Sequence, residues 1–137
     1  MGIEDFRFWH EITVEISDTD LGGVVYYGRY ARFVDAAAVA YRTMLGIPPL
    51  GPDEHLFVVR RLEVDYLSSA RFGDTIEVGL RAEAVGRTSH ELNAVLMREG
   101  QRVAAARAVI VGVNGYGGRP TRVPSEIADA IRTFEGL

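Results

Sequence analysis

YARFVDAAAVAYRTMLGIPP, residues 30–49, sets the architecture of this chain. Apolar residues recur there at helical spacing: Phe33, Val34, Ala37, Ala38, Tyr41, Met44 and Leu45 lie 3, 4, 7, 8, 11, 14 and 15 residues after Tyr30. The opposite side carries Arg32, Asp35 and Arg42, but also Ala31, Ala36, Val39 and Ala40. A helix that is apolar most of the way round is buried on most sides. Gly46 stops it, with Pro48 and Pro49 two residues on.

Around this helix the pattern is that of strands. Residues 8–16 alternate loosely, with Trp9, Ile12, Val14 and Ile16 against His10, Thr13 and Glu15. After a loop at 51–55, Val58, Arg60, Leu62, Val64 and Tyr66 alternate with Val59, Arg61, Glu63 and Asp65. Residues 75–85 alternate most cleanly, and 89–98 follow after a turn at Gly86-Arg87. Glu99-Gly100-Gln101 reads as a hairpin connection. Residues 103–113 are almost wholly apolar, which predicts a central strand covered on both faces. A glycine-rich loop at 114–120 follows. Ser125 is expected to cap a short helix over 126–134.

Strands do not alternate with helices, so a doubly wound parallel sheet is excluded. The expected class is α+β: one long central helix wrapped by a five-stranded antiparallel sheet, in a single domain over residues 1–137. One sheet protects only one side of such a helix. A second copy of the chain is the expected cover, which makes the protein a homodimer at least.

Composition narrows the functions. The net charge is -4, so the dense basic patch that nucleic acid requires is not expected. There is no cysteine, which excludes disulfides and thiolate chemistry. The three histidines, His10, His55 and His90, are not at metal-ligand spacing, so no metal site is expected. No apolar run reaches the roughly 20 residues of a membrane span. The first ten residues, MGIEDFRFWH, lack an export signal, and a cytoplasmic location is expected.

Chemistry gathers just before the helix, in SDTDLGGVVYYGRY, residues 17–30. The first N–H groups of a helix have no partner within it, and the helix dipole adds positive charge there. Such a helix start favours an oxyanion. Gly22, Gly23 and Gly28 bring backbone close to a ligand without a Cβ, and Val24–Tyr27 supply an apolar wall. An aspartate a few residues upstream then has the position of a nucleophile or of a base on water. Asp18 and Asp20 are both available, and both are also common turn formers. A calcium loop does not fit, because Gly22 and Arg29 stand where ligands are required.

The run from Asp18 to Tyr30, DTDLGGVVYYGRY, resembles the signature of the hotdog-fold acyl-CoA thioesterases, in particular the 4-hydroxybenzoyl-CoA thioesterase family. The similarity continues along residues 32–49, through Gly86-Arg87-Thr88-Ser89, and into the loop and proline at the C-terminal end. His90 stands where that family usually has Phe. The resemblance implies a hotdog fold whose dimers pair sheets edge to edge, with active sites at the interface. It implies Asp20 as the catalytic carboxylate, the backbone N–H of Tyr27 as the group polarising the thioester carbonyl, and Asp18 as structural. Gly28, Asp35, Arg87 and Ser89 are the substrate-binding candidates. Asp35 would meet a polar group at the far end of the acyl pocket, or else pair with Arg32 or Arg42. Arg87 and Ser89 would meet the phosphates or amides of CoA. The expected reaction is hydrolysis of an acyl-CoA, with a 4-hydroxybenzoyl-like aromatic acyl group, by a dimer or dimer of dimers and with no cofactor. A carrier-protein thioester and a short aliphatic acyl-CoA are the alternative substrates.

Overall fold

The structure is a computed structural model that describes residues 2–137. Five strands form one antiparallel sheet: β1 (Phe8–Thr13), β2 (His55–Tyr66), β3 (Thr75–Glu83), β4 (Ser89–Arg98) and β5 (Gln101–Asn114). Their spatial order is β1-β3-β4-β5-β2, with every neighbouring pair antiparallel. The long helix α1 (Tyr30–Met44) packs on one face, and α2 (Ser125–Glu135) follows the last strand. The α+β class and the helix-on-sheet arrangement are those expected.

The buried stripe of α1 is Tyr30, Phe33, Val34, Ala37, Ala38 and Tyr41. It shares one apolar core with Ile76, Val78 and Leu80 of β3, Leu92 and Leu96 of β4, and Ile110 of β5. Small inward residues on β5, Ala104, Ala106 and Ala108, keep that strand's inner surface low. The opposite flank of α1 is open in the single chain, with Val39 and Met44 exposed. Gly46 ends the helix in the left-handed region, at φ +75°, where a Cβ is costly. At the other end of the chain, Glu135 is buried and accepts hydrogen bonds from the Tyr41 hydroxyl and the Ala82 N–H, both at 2.7 Å. These bonds tie α2 to α1 and to β3.

Four details differ from the sequence expectation. β1 stops at Thr13, and residues 16–18 form a tight 3-10 turn instead of more strand. β5 is an interior strand between β4 and β2, as expected, but it is not covered along its whole outer face. That face is open at Arg107, whose guanidinium pairs with Glu91. On β2 a bulge between Val59 and Arg61 inserts one extra residue. The pleat changes phase there, so Val59, opposite Ile110, shares a face with Leu62, opposite Ala108, rather than with Arg61. Finally, Pro124 and not Ser125 is the cap of α2; its carbonyl takes the N–H groups of Ile127 and Ala128.

Candidate active site

The segment between β1 and α1 is a small hairpin pinned at its base. Thr19 bridges Val25, and Val24 bridges Arg71. The Val25 N–H reaches the Ala70 carbonyl at 2.8 Å, and the Tyr26 N–H reaches the Asp18 carbonyl at 2.9 Å. Gly23, at φ +81°, makes the tip possible.

The two aspartates part company here. Asp18 is buried, and its carboxylate accepts Arg32 Nε at 2.8 Å and Nη2 at 2.5 Å, together with the Glu15 N–H at 2.9 Å. The Arg32 fork holds this carboxyl below the usual carboxylate range, against the opposing effect of burial. Asp20 is exposed at the hairpin tip. Its Oδ1 accepts the Gly22 N–H at 2.8 Å, so one oxygen does shape the turn. Oδ2 carries no hydrogen bond among the described residues and is available to a ligand.

A single 3-10 turn, Tyr27–Arg29, leads into α1. The N–H groups of Tyr27 and Gly28 precede the first hydrogen bonds of that turn and have no acceptor inside it. Asp20, Tyr26, Gly28 and Arg29 line one open cleft of about 400 Å³. The structure therefore brings the exposed carboxylate and the helix start to one place.

Asp35 lies elsewhere. It lines a mainly apolar cavity of about 270 Å³ between the open flank of α1 and β2, with Arg42, Phe57, Val59, Leu62 and Leu92. Arg32 is committed to Asp18, and no Asp35–Arg42 bridge closes among the described residues. Phe57 is stacked edge-on against both His55 and His90, at 4.9 and 5.1 Å between ring centres. His90 points inward from β4 and is buried; burial, with a further push from the Arg42 charge, lowers its pKa to about 4.

Arg87 and Ser89 are remote from Asp20 within one chain. Ser89 opens β4 opposite Val111, whereas the Asp20 hairpin abuts Tyr66, whose row runs through Ala104 to Leu96. The two rows are seven residues apart on β4, about 23 Å along a strand. Arg87 is exposed, and its carbonyl accepts the Val123 N–H at 2.8 Å.

Sequence reading misses two residues at this site. Helix position sets Arg32 on the polar side with Asp35, yet its side chain reaches back 14 residues to Asp18. Tyr66 reads only as a strand residue, yet its hydroxyl donates to the Tyr27 carbonyl at 3.1 Å. No local pattern encodes either contact.

A long helix seated on a five-stranded antiparallel sheet defines a hotdog fold. Residues 22–105 match the thioesterase superfamily, and the chain belongs to that family. It is similar to the acyl-CoA thioesterase YbgC of Haemophilus influenzae, 29% identical over 92% of this chain and 95% of the relative. It also resembles the 1,4-dihydroxy-2-naphthoyl-CoA hydrolase of Synechococcus elongatus, 25% identical over 91% and 93%. Among solved structures, a thioesterase of Thermus thermophilus, complexed with coenzyme A and zinc, superposes with a TM-score of 0.82. That protein is 31% identical, and 98% of each chain is covered. In the present chain no cluster of three His, Asp or Glu suited to a metal occurs among the described residues.

Proposed function

We propose that this protein hydrolyses acyl-CoA thioesters, with Asp20 as nucleophile or as base on a water and the Tyr27 N–H polarising the carbonyl. The observation that carries this reading is the cleft shared by the Asp20 carboxylate and the entry to α1. Acyl transfer to water requires these two functions together: an attacking group and a stabilised oxyanion. Oxygen adds to the thioester carbon, the C–S bond breaks, and the CoA thiolate leaves and takes up a proton. The acid product carries the oxygen from water.

The acyl group in this reading is aromatic. The 270 Å³ cavity is walled by Phe57, Leu62 and Leu92, and Asp35 stands at its rim as an acceptor for a ring hydroxyl. The relative named for acyl-CoA supports a CoA ester, and the one named for 1,4-dihydroxy-2-naphthoyl-CoA supports an aromatic acyl group. β2 is an edge strand with Val58, Val59 and Leu62 exposed, and a two-fold pairing of β2 with its copy would cover them. Antiparallel pairing would also bring the Arg87 and Ser89 end of one sheet toward the Asp20 end of the other. On this account Arg87 and Ser89 serve the partner's substrate.

Thiol release from matched benzoyl, 4-hydroxybenzoyl and short aliphatic groups tests the reading, each presented on CoA and on an acyl-carrier protein. Fastest turnover of the aromatic CoA esters supports it. Preference for the carrier-bound or aliphatic series overturns the substrate assignment. Near-wild-type turnover by Asp20→Asn overturns the mechanism.

A further inference from the structure

The peptide on either side of Tyr27 is treated unequally. In a planar trans peptide the N–H points opposite to the carbonyl of the preceding residue. The Tyr27 N–H is therefore coupled to the Tyr26 carbonyl, and the Gly28 N–H to the Tyr27 carbonyl. The Tyr26 carbonyl accepts one backbone bond, from the Arg29 N–H at 2.9 Å. The Tyr27 carbonyl accepts two, from the Tyr30 N–H and from the Tyr66 hydroxyl at 3.1 Å. Each bond accepted by a carbonyl strengthens its own amide as a donor, by ~10–30% per bond. Of the two N–H groups at the helix entry, that of Gly28 is the more polarised.

Gly28 is also the one of the two that lines the cleft with Asp20. With no Cβ, its amide is reached without a side chain in the way. Tyr66 is held in place by two rings, meeting Tyr30 edge-on at 5.2 Å and Tyr27 at 6.5 Å between centres. Tyr30 is itself buried in the core. β2 thus sends one hydroxyl across to the 3-10 turn that leads into α1.

We propose that the Gly28 N–H is a second donor to the reacting carbonyl oxygen, and that Tyr66 is its positioning and polarising residue. The inference rests on the reading of the Asp20 cleft as the reacting centre. Tyr66 touches neither substrate nor attacking water; it acts through one peptide unit. Its effect polarises the bound carbonyl and is largest in the transition state, where charge develops on the oxygen, so it adds little to ground-state binding.

The test is a double-mutant cycle on turnover of the best acyl-CoA from the panel. Tyr66→Phe keeps the ring and loses the hydroxyl; it is expected to lower kcat by about fivefold with KM unchanged, in line with loss of a polarising bond. Gly28→Pro removes the N–H and is expected to lower kcat about a hundredfold. A Cβ at position 28 also moves the Tyr26 ring, whose Cε1 lies 2.9 Å from where it would stand, and Gly28→Ala carries the same Cβ as the control for that shift. In the Gly28→Pro background Tyr66→Phe costs nothing further; in Gly28→Ala, which keeps the N–H, it still costs about fivefold. Equal cost in both backgrounds, or a change in KM alone, overturns the proposal and leaves Tyr66 a packing residue. Should Gly28→Pro fail to fold, infrared spectra of the same acyl-CoA bound to Asp20→Asn decide. The thioester carbonyl stretch, lowered on binding, moves back toward its free value on adding Tyr66→Phe; an unmoved stretch overturns the proposal. Asp20→Asn with full activity defeats the reading of the cleft instead, so the two failures are distinct.

Discussion

Arg32 grips Asp18 with both arms of its guanidinium, Nε to Oδ1 at 2.8 Å and Nη2 to Oδ2 at 2.5 Å. One partner comes from the first turn of α1 and the other from the hairpin before it. The pair therefore fixes how the helix entry sits against the loop that carries Asp20. Removing Arg32 strands a buried carboxylate whose other hydrogen bond among the described residues is from the Glu15 N–H. Fully buried pairs broken on one side cost ~3–5 kcal/mol; Arg32 is about a third exposed, so about 2–3 kcal/mol is expected for Arg32→Met. Arg32→Lys recovers little, since an ammonium cannot fork. The carboxyl of Asp18 is held below its usual range, so its stabilisation is present above about pH 3.8 and fades as pH falls below that value. Urea midpoints at pH 7 and pH 3 measure both effects.

The neighbouring acid is expected to respond in the opposite manner. Asp20 is exposed, and an Asn in its place retains an oxygen for the Gly22 N–H. Asp20→Asn should leave the melting temperature within about 2 °C of wild type, a small surface effect. Turnover should fall by about 10²–10⁴, the range for loss of a positioned acid or base. Asp18→Asn should show the reverse balance, with stability lost first. A calorimetric scan beside a steady-state assay separates the two residues in one experiment.

What can be read from the chain follows from the range of each interaction. The helix over Tyr30–Met44 and the strand alternation of β3 and β4 are local periodicities, and they appear where expected. The bulge in β2 lies in Val58-Val59-Arg60-Arg61, with no glycine or proline to mark it, so simple alternation carries the wrong face across it. Both candidate carboxylates can be named from sequence, because turn acids before a helix are recognisable. Which of them is buried cannot be named on composition, since it depends on an arginine 14 residues away. Tyr66 is 39 residues from Tyr27, and no spacing rule links them.

His90 gives the protein an acid-labile core. Its imidazole is buried against Phe57, with Arg42 nearby and a second buried histidine, His55, edge-on to the same ring. The unfolded chain takes up this proton near pH 6.5, whereas the folded chain resists until about pH 4. More protons are bound when unfolded, so stability falls as pH drops through that window, by on the order of 3 kcal/mol for a shift of this size. His90→Phe removes the proton site and keeps an aromatic ring against Phe57. Its unfolding free energy should change less between pH 7 and pH 4.5 than that of the wild type. Equal slopes for the two proteins would count against a buried neutral imidazole.

Arg87 and the Asp20 hairpin lie toward opposite ends of the sheet: the Ser89 row, next to Arg87, and the Tyr66 row are about 23 Å apart along β4. If each site combines Asp20 of one chain with Arg87 of its partner, two crippled proteins should repair one another. Asp20→Asn is expected to lower turnover by about 10²–10⁴, and Arg87→Ala to raise KM for acyl-CoA without lowering stability, because the Arg87 side chain is exposed and unpaired by any salt bridge among the described residues. Mixed, unfolded and refolded together, half of the dimers are hybrids, and each hybrid holds one site with both residues intact. At low substrate the mixture should regain about one quarter of wild-type activity, as a shared site in a two-fold dimer requires. Separately refolded and then mixed, the same proteins should regain nothing beyond their sum until subunits exchange. If the co-refolded mixture also shows only the sum, each chain works with its own Arg87 or with none, and the pairing of sheets through β2 loses its functional role.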